Sequence, residues 1–210
     1  MTSTASQPCI KQRIYTVQQR LSHLLQPVDG LPALALRLYL VPVFWSAGMN
    51  KLNAFDDTVA WFGNADWGLG LPFPTLMAGL ATGAELVGAV LLALGLLTRW
   101  ISIPLMVTML VAIFTVHWPN GWQAIADPSA PFANAQVLEA GEKLQRARTL
   151  LQDHGNYDWL TSSGSFAIIN NGIEFAVTYL VMLLALIKMG GGRFVSVDDW
   201  IKRWFKYRST

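Results

Sequence analysis

The sequence predicts an all-α polytopic membrane protein: a four-helix bundle with an extra amphipathic helix in its last outer loop. Three observations predict it. Hydrophobic residues make up 53% of the 210 residues and charged residues only 13%, where soluble domains carry about 25% charged. Four apolar stretches are each long enough to cross the hydrocarbon core, which takes about 20 residues at about 1.5 Å of helical rise. Lys and Arg gather near the chain ends and in one tight turn, a pattern that orients membrane proteins.

The first span covers about 31–50. The second, about 75–97, and the third, about 100–118, meet at Leu97-Thr98-Arg99-Trp100, so they form an antiparallel hairpin. The fourth covers about 167–189 and stops at Gly190-Gly191-Gly192, glycine being a common helix terminator. Helices are the expected form, because irregular backbone leaves its polar groups unpaired in lipid. Pro42 and Pro104 fall inside spans and are expected to kink them.

The loop from Lys51 to Pro74 holds Asp56, Asp57 and Asp66 with Phe55, Trp61, Phe62, Trp67 and Phe73, and reads as lying at headgroup level. The loop from Pro119 to Phe166 is long. Its part from Asp127 to Phe132 has two prolines and reads as irregular. From 134 to 153 it turns helical: Val137, Ala140, Leu144, Ala147 and Leu151 share one face, with Glu139/Lys143 and Glu142/Arg146 at i,i+4 elsewhere.

Orientation follows from the cations. Lys11, Arg13 and Arg20 precede the first span, Arg99 sits in the hairpin turn, and Arg193, Lys202, Arg203, Lys206 and Arg208 follow the fourth. With four spans these share one side, so both termini are expected in the cytoplasm. The chain then divides into a cytoplasmic segment 1–30, a bundle 31–190 with a periplasmic loop helix 134–153, and a basic cytoplasmic tail 191–210. Trp200, Ile201, Trp204 and Phe205 among the basic residues make that tail an interfacial helix on anionic lipid.

Some classes are excluded. A net charge of +2 is too small to argue for nucleic acid. There is no phosphate-binding Gly loop with a Lys, no nucleophile elbow and no Cys-x-x-Cys. Cys9 is the one cysteine, so no internal disulfide or redox pair exists. The first apolar run starts near Leu31, so no cleavable signal peptide is expected. With three His and no paired Cys, no metal site is expected, though a single axial haem or copper contact stays open.

Ionisable groups inside spans are costly and need a partner or a wet cavity. Five qualify: Arg37, Lys51, Glu85, His117 and Glu174. Glu85 shares a helical face with Ala78, Ala81, Gly88 and Ala89, and Gly79 and Gly83 add a small-xxx-small pair, so that face points into the bundle. Glu85 is then either a buried ion-pair partner of Arg37 or a proton-handling or ligand-binding carboxyl. Glu174 aligns with Asn170, Asn171 and Thr178 at helical spacing, which reads as a pocket wall or as interhelical glue. His117 is an interfacial residue or a proton relay. Lys51 snorkels to the interface or joins His117, Glu174 and Asn171 in a shared outer-leaflet site. Trp45 and Trp61 either belong to the aromatic belt or flank a flat ligand such as a quinone head.

Several stretches in order resemble the DoxX family of bacterial membrane proteins: Arg37 with Trp45-Ser46-Ala47-Gly48-Met49-Asn50-Lys51-Leu52; Glu85-Leu86-Val87-Gly88 into Leu94-Gly95-Leu96-Leu97-Thr98-Arg99; Val116-His117 with Gly121; and Asn171-Gly172-Ile173-Glu174-Phe175 into Gly190 to Gly192 and Asp198. The resemblance covers roughly Leu34 to Asp198, with a longer stretch from Pro119 to Phe166 than in the shortest members. It implies a four-helix bundle in the bacterial inner membrane with both termini inside. It further implies a membrane subunit of a redox system, and the long-loop, Trp-rich subtype implies one linked to copper stress. The family's polar positions map onto the same five residues. The lone Cys9 departs from direct thiol exchange, so disulfide chemistry would need a partner.

The leading expectation is a redox or copper-stress subunit with a polar outer-leaflet pocket for a quinone-like or other small ligand. In it Glu174 and His117 accept protons, and Lys51, Asn170, Asn171, Trp45 and Trp61 line the pocket. The alternatives are a non-catalytic scaffold recruiting soluble partners, and a small transporter or peptide exporter, for which no inverted repeat is seen. The small-residue faces permit a homodimer.

Overall fold

The computed structural model describes Tyr15, residues 17–20 and residues 28–208. Cys9, Lys11, Arg13 and most of the segment 1–30 lie outside the described residues. Among the described residues the fold is all helical, with an isolated bridge between Ile125 and Ile169 instead of a sheet. The elements are α1 (Leu31–Asn53), α2 (Phe55–Gly63), α3 (Pro74–Leu94), α4 (Thr98–Val111), a π-helix (Ala112–His117), a 3-10 turn (Trp118–Asn120), α5 (Ala135–His154), α6 (Tyr157–Thr161), α7 (Glu174–Met189) and α8 (Val197–Arg208).

Three helical stretches are long and apolar enough to cross a membrane: Leu31–Asn53, Pro74–Leu94 and Thr98–Asn120. Pro begins α3 at its first position, where its missing N–H costs nothing. Pro42 and Pro104 lie inside α1 and α4. The expected fourth span starts too early at 167. The helix proper is Glu174–Met189, 16 residues, or about 24 Å of rise against a core of about 30 Å. The reason is local. Residues 168–173 are not helical, and the backbone of 168–174 bonds to 121–126, with Asn170 and Asn171 N–H both donating to Ala124 O at 2.9 Å. Asn171 adopts a left-handed φ of 59° just before Gly172, a conformation that short polar side chains tolerate.

The four long helices close a ring: α1 packs on α3 and α7, and α4 packs on α3 and α7. Leu40, Phe44, Leu92, Leu105, Leu183 and Leu186 fill the centre and are almost fully buried. The outer faces carry Leu38, Leu80, Val107, Phe114 and Val181, all exposed, as a surface solvated by lipid requires. The predicted loop helix is present as α5. Asn134 caps it by accepting the Val137 N–H at 2.9 Å, and Val137 and Ala140 are its buried residues. The loop after α1 is more ordered than expected, because Phe55–Gly63 forms α2 with Asp56 and Asp57 in its first turn.

One end of the ring is fastened by Arg37, which is 1% exposed. Its Nε donates to Leu92 O at 2.7 Å and Nη2 to Ala93 O at 2.9 Å. Nη1 donates to Gly191 O at 2.8 Å, and Nη2 also to Val195 O at 2.9 Å. Leu92 and Ala93 belong to the last turn of α3, whose carbonyls have no partner within the helix and favour a cation. Gly95 makes room: it has φ +63°, and a Cβ there would lie 2.6 Å from the Arg37 Cζ. Asp198, in the first turn of α8, accepts Leu97 N–H at 2.8 Å and Thr98 N–H at 3.1 Å, so it caps α4 from the far end of the chain.

Gly95→Ala combines a disfavoured backbone with a clash on the guanidinium. It should lower unfolding stability in detergent by about 1–3 kcal/mol, measured by thermal or denaturant unfolding followed by circular dichroism.

Candidate functional site

The antiparallel register of α1 and α3 is set at Gly48, where an added Cβ would lie 2.7 Å from Leu86 Cγ and 3.2 Å from Glu85 Cβ. This approach places Glu85 beside α1 near its C-terminal end. Lys51 is one turn beyond Gly48, and helical side chains lean toward the N-terminus, so its ammonium falls back to the level of Glu85. The result is an ion pair at 2.8 Å to Oε1 and 2.7 Å to Oε2. The Glu85 side chain is 4% exposed and that of Lys51 26%, so the pair is open only on the lysine side.

This corrects the pairing expected for Arg37. Glu85 lies seven residues before Leu92 on α3, about 10 Å along the helix axis from the carbonyls that hold the guanidinium. Arg37 instead donates to the four carbonyls at the opposite end. Around Glu85, Ala78, Gly88 and Ala89 are buried as expected. Gly79 and Gly83 are not part of that face: nothing lies within 4 Å of a Cβ built on either. Thr82, one turn before Glu85, was not singled out by the sequence reading. It is 4% exposed, and its hydroxyl has no hydrogen-bond partner.

His117, Asn170, Asn171 and Glu174 form a second constellation, which excludes Lys51. His117 ends the π-helix, a widened turn often found at functional sites. Its Nδ1 lies 2.8 Å from Asn171 O. A carbonyl can only accept, so Nδ1 carries the proton, and in the neutral ring Nε2 remains an acceptor. Glu174 Oε2 accepts the Ala124 N–H at 2.9 Å. Asn170 is buried and donates to Asn120 O at 2.8 Å and Gln123 O at 2.7 Å. The expected helical stripe is therefore corrected. Asn170 and Asn171 precede α7 and hold the 120–127 loop, while Thr178 bonds back to Glu174 O. Asn120 and Gln123, missed in the sequence, are the loop's side of this brace. Nearby, the hydroxyl and N–H of Ser129 bond the Asp127 carboxylate and hold it below the usual carboxylate range.

Trp45 is 47% exposed, and the Trp61 ring meets Phe62 edge-on with centroids 5.6 Å apart. Among the described residues no group of three or more His, Cys, Asp or Glu side chains gathers in a way that could hold a metal ion.

Comparison with known proteins adds the following. The DoxX family model matches residues 33–118, which includes Arg37, Lys51, Glu85 and His117 and leaves out Asn170, Asn171 and Glu174. A Haemophilus influenzae protein described only as uncharacterized is 24% identical over 185 residues, spanning 86% of this chain and 90% of its own. A Bacillus subtilis protein named "Putative oxidoreductase CatD" is 34% identical over 83 residues, spanning 40% of this chain and 58% of its own. No solved structure matches at a significant level.

Removing one member of a buried pair strands the other charge, whereas an apolar pair of similar volume is often tolerated. Lys51→Met should therefore cost about 3–5 kcal/mol. Lys51→Met/Glu85→Leu should return close to the parent stability. A double-mutant cycle by denaturant unfolding in detergent checks both.

Proposed function

We propose that this chain, which the DoxX family model matches over residues 33–118, is a DoxX-like membrane subunit of a redox or copper-stress-linked system. It serves a quinone-class carrier at the Lys51–Glu85 pair. A quinone takes two electrons and two protons to become the quinol. The electrons come from a partner oxidoreductase, because a chain with one cysteine has no dithiol of its own. The protons pass through Glu85, with Nε2 of His117 as a second acceptor and Glu174 bracing the loop beside it. The carrying observation is the pair itself: a 4%-exposed carboxylate met by a quarter-exposed ammonium inside the family-matched segment. Intramembrane ionisable groups mark ligand and proton paths by default. The unpartnered Thr82 hydroxyl supplies a further polar group one turn away. The name carried by the Bacillus subtilis relative agrees with redox service. In this reading the protein lies in a bacterial inner membrane with both termini cytoplasmic, and α7 with the non-helical residues before it completes a fourth crossing.

The test is quinone retention by the full chain in proteoliposomes, followed by tryptophan quenching. Lys51→Met/Glu85→Leu should weaken retention by about tenfold or more, the loss of about one charge-assisted hydrogen bond. Lys51→Arg should keep it. Retention equal to the parent in the double variant overturns the reading.

A second reading, a scaffold for soluble partners, is favoured by α5 and α6. Leu138, Leu150 and Trp159 are exposed there at 54%, 57% and 71%, beyond the spans. Deleting 134–153 should then abolish recovery of a redox partner while circular dichroism shows the remaining helices intact. Undiminished recovery removes this reading.

A further inference from the structure

We propose that the cavity between the Gly191-Gly192 turn and α8 is a headgroup site for an aminophospholipid. This proposal is independent of the quinone reading, which concerns the opposite end of α1. The cavity has a volume of about 210 Å³ and is lined by Asp29, Gly191, Gly192, Arg193, Asp198, Asp199 and Lys202, with Met189. It lies where α1 begins and α7 ends, the depth at which a span passes into headgroups.

The charges around it are of both signs, and they divide into used and unused. Asp198 spends both oxygens on Leu97 and Thr98 N–H. Asp199 pairs with Arg203 at 2.6 Å. Asp29, Arg193 and Lys202 make no ion pair with any described residue. Two cations and one carboxylate thus face one opening without neutralising one another. The ligand that satisfies them carries both signs: a phosphodiester for Arg193 and Lys202, and an ammonium for Asp29. A purely anionic headgroup leaves Asp29 unpaired and repels it. A trimethylammonium headgroup has no N–H to donate.

The rim fits a lipid and not a free ion. Val195 and Trp200, within two residues along the chain of the lining residues Arg193 and Asp199, are 76% and 73% exposed and offer apolar surface to acyl chains. The Gly191 carbonyl on the cavity's lining is held by Arg37 Nη1 at 2.8 Å. Gly190 and Gly192 have φ of +70° and +77°, which shapes the turn that opens the space.

The experiment is native mass spectrometry of the full chain in mild detergent. It is titrated separately with phosphatidylethanolamine, phosphatidylcholine, phosphatidylglycerol and inorganic phosphate. Phosphatidylethanolamine should be retained roughly tenfold better than the other lipids, one charge-assisted bond being worth about that factor. Lys202→Gln should lower retention of every lipid. Asp29→Asn should erase the preference for phosphatidylethanolamine over phosphatidylcholine while leaving phosphatidylglycerol no weaker. Both residues are exposed, so neither substitution threatens the fold. Equal retention of all lipids, a preference for phosphatidylglycerol, a preference that survives Asp29→Asn, or phosphate binding as tight as lipid each overturns the proposal.

Discussion

Arg37 holds a full charge at 1% exposure, and the desolvation of that charge is the constraint to which one end of the bundle is fitted. A buried guanidinium is tolerable only when its donors are met. Meeting them takes the frayed end of α3, the positive φ of Gly95, the glycine turn after α7 and the carbonyl of Val195. The same charge sits where helix dipoles present their negative ends, so electrostatics and hydrogen bonding act in one direction. The opposite end of the ring has a different solution: a short ion pair, open on one side, and a brace of loop bonds.

The two ends differ in how their buried charges are met. At the Arg37 end the guanidinium is held by four carbonyls and Asp198 by two N–H groups. At the Lys51 end more of the groups keep unused capacity. Thr82 has a bare hydroxyl, His117 has a free ring nitrogen, and Glu174 commits one oxygen to Ala124. Saturated groups stabilise, and unsaturated groups remain available for exchange with a ligand or a proton.

Much of this was legible in the sequence. The first three spans, the hairpin and the loop helix follow from hydropathy and helical spacing. The cost of charge in lipid picked out Arg37, Lys51 and Glu85 without any structure. The sequence could not say which pairs with which. That depends on interhelical register, which is fixed by the contact of Gly48 with Leu86, and a glycine does not announce its neighbour. Asn170 and Asn171 were misplaced onto a helix because their spacing from Glu174 is helical. The turn at Asn171-Gly172 carried the correct signal and was outweighed by an apolar run. Asp198 was legible only as an acid in a basic tail, since the N–H groups it caps lie about a hundred residues earlier in the chain.

The fastening at Arg37 also bears on the order in which the protein is made. Arg37 is synthesised early, while two of its four acceptors, Gly191 and Val195, follow 154 and 158 residues later. Until residues 191–195 are made, the first span carries a cation that lacks two of its acceptors. Closure of the bundle at this end therefore waits on a turn made long after the span it fastens.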